Sequence, residues 1–267
     1  MRAFITGVAG FLGSHVAEAL LSESYDVVGW EVAGTDDLTT GNKENVPDGV
    51  DFSIGDVRDG IPEGFDYVFH AAGFSRSGAA WANPIDCYER NVDGTLAVLE
   101  AVRGTGTRLV YASSAVVEAP TSSPYAASKA AAETLVAAYK HNYGLDACSL
   151  RFSSVYGPGQ SEDGDHLNVV AQMRRDAREL GFVRVAGNGR QTRDFIHVDD
   201  ATRAVVDALR GANIRDVCTG VQTAVLVLAH MFGVPIQFME ARPGDPLTFR
   251  QEGSLPGCRQ LTLTSLS

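Results

Sequence analysis

"RAFITGVAGFLGSHVAEALLS", Arg2 to Ser22, decides how the rest of the chain is read. "RAFIT" is an apolar run that suits a buried strand, and "GSHVAEALLS" carries a helical pattern. Between them, "TGVAGFLG" sets Gly7, Gly10 and Gly13 three residues apart. Glycines at such a joint let backbone approach a pyrophosphate closely, and a helix N-terminus adds partial positive charge. The spacing is GxxGxxG rather than GxGxxG, so it is the strand–loop–helix context that points to a dinucleotide.

The same alternation continues downstream. "VDFSI", ending near Asp56, "DYVFHAA" and "RLVYAS" read as strands, with a helix around "CYERNVDGTLAVLEAV". "SPYAASKAAAETLVAAYKHNYG" reads as a helix: Ser123 caps it, Pro124 suits its first turn, and Gly144 lies just beyond. "DACSLRF" is the next strand. Strands alternating with helices predict an α/β fold, a Rossmann-type doubly wound parallel sheet. After Phe152 the alternation loosens into a smaller, loop-rich C-terminal lobe. The expected division is 1–151 for the sheet domain, rejoined by about 192–212, with 152–191 and 213–267 forming the lobe.

A net charge of −11 argues against nucleic acid or an anionic membrane as the main partner. Cys87, Cys148, Cys218 and Cys258 show no CxxC spacing, which suits reduced thiols in a cytoplasmic protein and predicts no metal site. No apolar run approaches the ~20 residues of a membrane span, and the strand-like "MRAFITG" opening predicts no signal peptide.

Tyr125 and Lys129 stand four apart on the alanine-rich helix, which places both on one face. An ammonium beside a phenol favours the phenolate and makes the tyrosine a base for a sugar or alcohol hydroxyl. Ser113 and Ser114 end the preceding strand and are expected to open onto the same cleft.

"YDVVGWEVAGTDD", Tyr25 to Asp37, offers the second strand twice, once ending near Glu31 and once near Asp36. Val27, Val28 and Trp30 make the first half the stronger buried strand, so Glu31 is expected on the adenosine ribose and Asp36 in a long loop beyond it. An acid in either place disfavours the 2′-phosphate of NADP and predicts NAD.

"TGVAGFLGSH", "GDVRD", "HAAG", "NVDGT", "YASSAV", "YAASK", "RFSSVYGPGQ", "GNGRQTRDFIHVDD" and "ARPGD" occur in one order. In this the chain resembles the extended short-chain dehydrogenase/reductases that modify sugar nucleotides, of the UDP-galactose 4-epimerase type. The resemblance implies that Gly7, Gly10, Phe11, Leu12 and Gly13 line the pyrophosphate, and that Asp56 and Val57 sit at the adenine. It implies that Ala71, Ala72 and Gly73 run past the middle of the cofactor, that Asn91 reaches toward it, and that Phe152 and Ser153 flank the nicotinamide. Ser114 takes the catalytic hydroxyl position, Tyr125 that of the base and Lys129 that of its partner, while Arg193 and Arg242 match arginines that clamp the nucleotide diphosphate. Ser154 stands where epimerases commonly carry a substrate-contacting asparagine, and only 11 residues separate Ser114 from Tyr125, a shorter stretch than is usual.

The family's dehydratases place acids directly after the catalytic hydroxyl, whereas Ala115, Val116 and Val117 follow Ser114 here. The expectation is therefore NAD-dependent C4 epimerisation of a nucleotide sugar, UDP-linked, by a homodimer. The alternatives are a reductase, dehydratase or decarboxylase of the same family, or a non-catalytic binder.

Overall fold

The computed structural model describes residues 1–22, 30–75, 77–164, 167–241, 248, 253–259 and 261–262. The strands are β1 (Arg2–Thr6), β2 (Glu31–Asp36), β3 (Asp51–Ile54), β4 (Tyr67–His70), β5 (Arg108–Ser114), β6 (Ala147–Phe152), β7 (Ser154–Tyr156), β8 (Val183–Ala186), β9 (Thr192–His197), β10 (Asp216–Val217), β11 (Gln222–Ala224) and β12 (Ile236–Met239). The helices are α1 (Phe11–Leu21), α2 (Ser77–Ala82), α3 (Pro84–Tyr88), α4 (Gly94–Val102), α5 (Pro124–Tyr143), α6 (Val169–Leu180), α7 (Val198–Leu209) and α8 (Val225–Met231).

Among the described residues, seven strands form one parallel sheet in the order β10-β6-β5-β4-β1-β2-β3. A parallel strand between two neighbours must be apolar on both faces, and in β1 Ala3, Phe4 and Ile5 are buried throughout. One face carries α1 and α7, whose Val16, Ala17, Leu20, Ala201 and Val205 share a core with Ile5 and Val32. The other carries α4 and α5, whose Val98, Leu99, Ala132 and Val136 pack on Phe4, Leu109 and Tyr111. Layers on both faces define the doubly wound architecture, and all strand C-termini open at one edge.

The doubled stretch resolves against its first half. Strand β2 is Glu31–Asp36, in register with β1 from Arg2↔Glu31 to Thr6↔Thr35. Both halves carry a glycine at the point of closest approach, where a Cβ at Gly34 would lie 2.6 Å from the Ile5 carbonyl oxygen and 2.8 Å from Val8 Cβ. Only a glycine lets β2 pass there. The halves differ at the next residue, where the buried Thr35 stands and the first half would put Trp30. Trp30 is buried just ahead of the strand, its ring 5.1 Å from that of Tyr67, while residues 25–29 lie outside the described residues. Glu31 therefore sits at the far end of the sheet from the ligand-facing edge, exposed and paired with Arg2 at 3.2 Å.

The remaining strands build a smaller assembly beyond β6. Strand β9 pairs with β7 and β11, and β8 pairs with β12, around a core of Tyr156, Met173, Phe195 and Leu228. Asp194 ties this part to the main sheet. Its buried carboxylate accepts from the Thr219 amide (2.9 Å) and hydroxyl (3.0 Å), the Gly220 amide (2.6 Å) and the Ser153 hydroxyl (3.3 Å). Removing it leaves four part-buried donors without their charged acceptor, so Asp194→Ala is expected to lower stability by about 3 kcal/mol in urea unfolding, with Asp194→Asn losing less.

Candidate active site

The strand ends and the loops after them enclose one cleft of about 1200 Å³. Its floor is the glycine loop. A Cβ at Gly13 would collide with the Gly7 carbonyl oxygen, and one at Gly7, where φ is +73°, would lie 2.7 Å from the Ala72 amide nitrogen. No side chain caps α1 at Gly10, and no acid occupies its first turn. This edge thus presents main chain and a helix N-terminus, the surroundings a pyrophosphate requires. Thr6 Oγ holds the wall opposite: it accepts from the Ala72 amide at 3.1 Å and hydrogen-bonds the His70 ring at 2.7 Å. Burial keeps that histidine neutral, its pKa pushed down to about 3.

Asp36 ends β2 at the cleft, 8 % exposed, and accepts from the Ala9 amide (3.1 Å) and the Leu38 amide (2.8 Å). Burial raises its pKa, against the lowering effect of those amides. Asp36, not Glu31, is the acid that the doubled stretch brings to the cleft. Asp56 lines the same end with Val57 and is held below the usual carboxylate range by Arg58, whose Nη2 donates to it at 2.6 Å.

Gly10, Phe11, Leu12, Ala71, Ala72, Gly73, Ser113, Ser114, Tyr125, Lys129, Phe152, Ser153, Ser154 and Arg193 also line the cleft. Asn91 turns away. It is 1 % exposed, its amide accepting from the Phe74 N–H (2.9 Å) and donating to Ser128 Oγ (2.9 Å) and the Phe74 carbonyl (3.2 Å). Its role is to clamp the loop after Gly73 to α5, where a Cβ on Gly73 would already lie 2.5 Å from Asn91 Oδ1. The residue that faces the cleft is the preceding Arg90, paired with Asp86 (2.7 Å) and Asp37 (2.5 Å). The reason is a π-helical turn at Glu89–Asp93, which shifts the helical phase between α3 and α4. Arg242 lies outside the described residues. Arg193 donates to its neighbour's carbonyl, Thr192 O, at 2.7 Å; Asp194 and Asp199 are engaged with other groups.

The helix bearing the Tyr–Lys pair starts as its sequence requires, with Ser123 Oγ accepting from the Ala126 amide and Pro124 in the first turn. Tyr125 packs with Phe74, Ala80, Cys87 and Val116. Burial pushes its phenol up to about 12, opposed by the hydrogen bond to Ser114. Lys129 is buried too and pushed down to about 8. Its Nζ donates to the Ala112 carbonyl (2.8 Å) and the Tyr111 hydroxyl (3.3 Å), so in this structure the ammonium is anchored on β5. The cluster thus holds a neutral phenol beside a hydroxyl, with a titratable ammonium on the same helix face.

A doubly wound sheet with a main-chain phosphate cradle, an acid at the end of β2 and a Ser–Tyr–Lys cluster defines a dinucleotide-dependent enzyme class. The model of the NAD dependent epimerase/dehydratase family matches residues 3–217, and the chain belongs to that family, with NAD as its cofactor. It is 33% identical over 275 residues to a putative UDP-glucose 4-epimerase of Methanocaldococcus jannaschii, across 92% of this chain and 87% of the relative. The crystal structure of a Thermus thermophilus UDP-glucose 4-epimerase in complex with NAD superposes with a TM-score of 0.81 at 33% identity, covering 94% of this chain and 90% of that one. A dTDP-glucose 4,6-dehydratase of Mycobacterium tuberculosis is 32% identical over 230 residues, 77% of this chain and 67% of the relative. Family membership therefore establishes a sugar-nucleotide epimerase/dehydratase type of enzyme and leaves the reaction to be argued from the site. Among the described residues no helix is long and apolar enough to cross a membrane.

The two acids of the doubled stretch separate cleanly by experiment. In titrations followed by fluorescence, Asp36→Ala is expected to weaken NAD binding by about tenfold or more, as loss of a charged hydrogen bond does, and Glu31→Ala to leave it within about twofold.

Proposed function

We propose that the protein interconverts C4 epimers of a UDP-linked hexose of the UDP-glucose/UDP-galactose type, through a transient 4-keto sugar. What carries this assignment is the pairing of Tyr125 with Ser114 in the cleft that also contains the glycine loop. NAD held at the glycine loop of Gly7, Gly10 and Gly13 would supply a reversible hydride acceptor for C4 and a cationic ring that favours the Tyr125 phenolate. Tyr125 accepts the 4-hydroxyl proton and later gives it back, so one residue serves as base and acid. Ser114 hydrogen-bonds the reacting oxygen as its charge changes. The 4-keto sugar turns over between the two proton transfers, and net redox is zero.

The residues beside this pair favour epimerisation over dehydration. Eliminating water needs a further acid and base past the hydroxyl, and Ala115 and Val116 line the cleft there. Glu118 is instead ion-paired with Arg151 and Arg215. We assign the nucleotide sugar to the lobe of 152–191 and 213–267, with NAD on the sheet domain of 1–151. Arg193 would pair its guanidinium with the diphosphate, Arg242 would share that task, and Ser154 would face the sugar.

With UDP-glucose or UDP-galactose as substrate, chromatography of the wild-type reaction should show the epimer without stoichiometric NADH. Tyr125→Phe is expected to cut turnover by about 100-fold or more. Unchanged turnover in that variant would refute the assignment, and stoichiometric NADH or a lost carboxylate would replace it with reduction or decarboxylation.

A homodimer is part of the same proposal. Ile85 and Tyr88, three residues apart on α3, are 74% and 51% exposed, an apolar surface suited to a second copy. Sedimentation at micromolar concentration is expected to show a dimer that Ile85→Glu dissociates; a monomeric wild type would contradict it.

A further inference from the structure

We propose that Glu133 is a positioning residue for the catalytic cluster, locking the end of β5 to α5 so that Ser114 and Tyr125 are held at a working separation. The proposal rests on the assignment of Ser114, Tyr125 and Lys129 made above. Glu133 lies one helical turn beyond Lys129, so both project from one face of α5 toward β5. Ser113 Oγ donates to Glu133 Oε2. Arg151 stands directly beside Ser113 in the β5–β6 register and grips the same carboxylate, its Nε donating at 2.9 and 3.1 Å and its Nη2 to Oε1.

The contacts run in sequence along the strand. Lys129 binds the Tyr111 hydroxyl and the Ala112 carbonyl, Glu133 binds Ser113, and the next residue is Ser114. Two side chains one turn apart thus fix three consecutive residues of β5 against the helix whose first turn carries Tyr125. Arg151 extends the lock past the strand end, because its Nη1 pairs with Glu118 at the close of the short turn that follows Ser114. Glu133 and Arg151 are each less than a fifth exposed, so the pair is little screened by solvent.

Glu133 also contributes charge. Lys129 faces Tyr111 on β5, Glu133 on α5, Cys87 on α3 and His70 on β4. Burial is what pushes the ammonium down to about 8, and Glu133 and Cys87 oppose that shift. Neutralising Glu133 therefore lets Lys129 lose its proton at a lower pH, which moves the alkaline limb of a Lys129-dependent rate profile downward.

The test compares wild type, Glu133→Gln, Glu133→Ala and Tyr125→Phe for kcat, KM, the pH profile of kcat, NAD retained on purification, and thermal unfolding. Glu133→Ala is expected to lose kcat by on the order of 10- to 100-fold through misplacement of the reacting groups, with KM and retained NAD within about twofold. Glu133→Gln keeps an oxygen for Ser113 without the charge; it should recover part of kcat while its alkaline limb moves to lower pH. Unchanged kcat and pH profile in both variants would overturn the proposal, as would a Glu133→Gln variant that loses NAD and stability along with activity. If Glu133→Ala fails to fold, the pH limb of Glu133→Gln decides: shifted supports, unshifted overturns. An inactive Tyr125→Phe beside unaffected Glu133 variants removes this proposal alone, whereas a fully active Tyr125→Phe removes the catalytic assignment and this inference with it.

Discussion

Backbone meets backbone at the floor of the cleft, and the rest of the site is arranged around that contact. A side chain on Gly13 would run into the Gly7 carbonyl, and one on Gly7 into the Ala72 amide. The end of β1, the start of α1 and the loop after β4 can converge only because those positions carry nothing beyond Cα. The same constraint recurs at Gly34, whose missing side chain lets β2 pass Ile5 and Val8 and brings Asp36 to the cleft. Polar atoms hold what the glycines permit: Thr6 receives the Ala72 amide, and Asp36 receives those of Ala9 and Leu38.

Desolvation sets the chemistry of the groups inside. Asp36 is shifted up, Tyr125 up to about 12 and Lys129 down to about 8, so burial has displaced all three toward their neutral forms. A cationic group brought beside Tyr125 would favour its phenolate, since charges in a low-dielectric pocket act on one another strongly. Precision comes from elsewhere: Lys129 and Glu133 fasten α5 to successive residues of β5, ahead of the hydroxyl that must meet the phenol.

The parts of this arrangement that are local were legible in the sequence. The glycine loop, the capped α5 and the four-residue spacing of Tyr125 and Lys129 each follow from residues close together in the chain. The second strand was not legible, because both halves of "YDVVGWEVAGTDD" carry the same apolar pattern and a glycine at the same place, and they part only at the residue after it, where the sheet buries Thr35 rather than Trp30. Asn91 was misassigned for a related reason. A π-helical turn shifts the helix phase, sending Asn91 into the packing against α5 and Arg90 to the cleft, and no residue type announces such a turn. Glu133 stands at a helical spacing from Lys129 that was open to inspection, but its partners Ser113 and Arg151 are joined to it only by the β5–β6 register.

The most direct test of the account follows the hydrogen on C4. UDP-glucose deuterated at C4 is incubated with the protein, and the recovered nucleotide sugars are separated and examined by mass spectrometry and NMR. Proton shuttling by Tyr125 with net redox of zero predicts a 4-epimer that retains the deuterium at C4. Deuterium found at C6 of a deoxy product, or accumulating in released reduced dinucleotide, would contradict it.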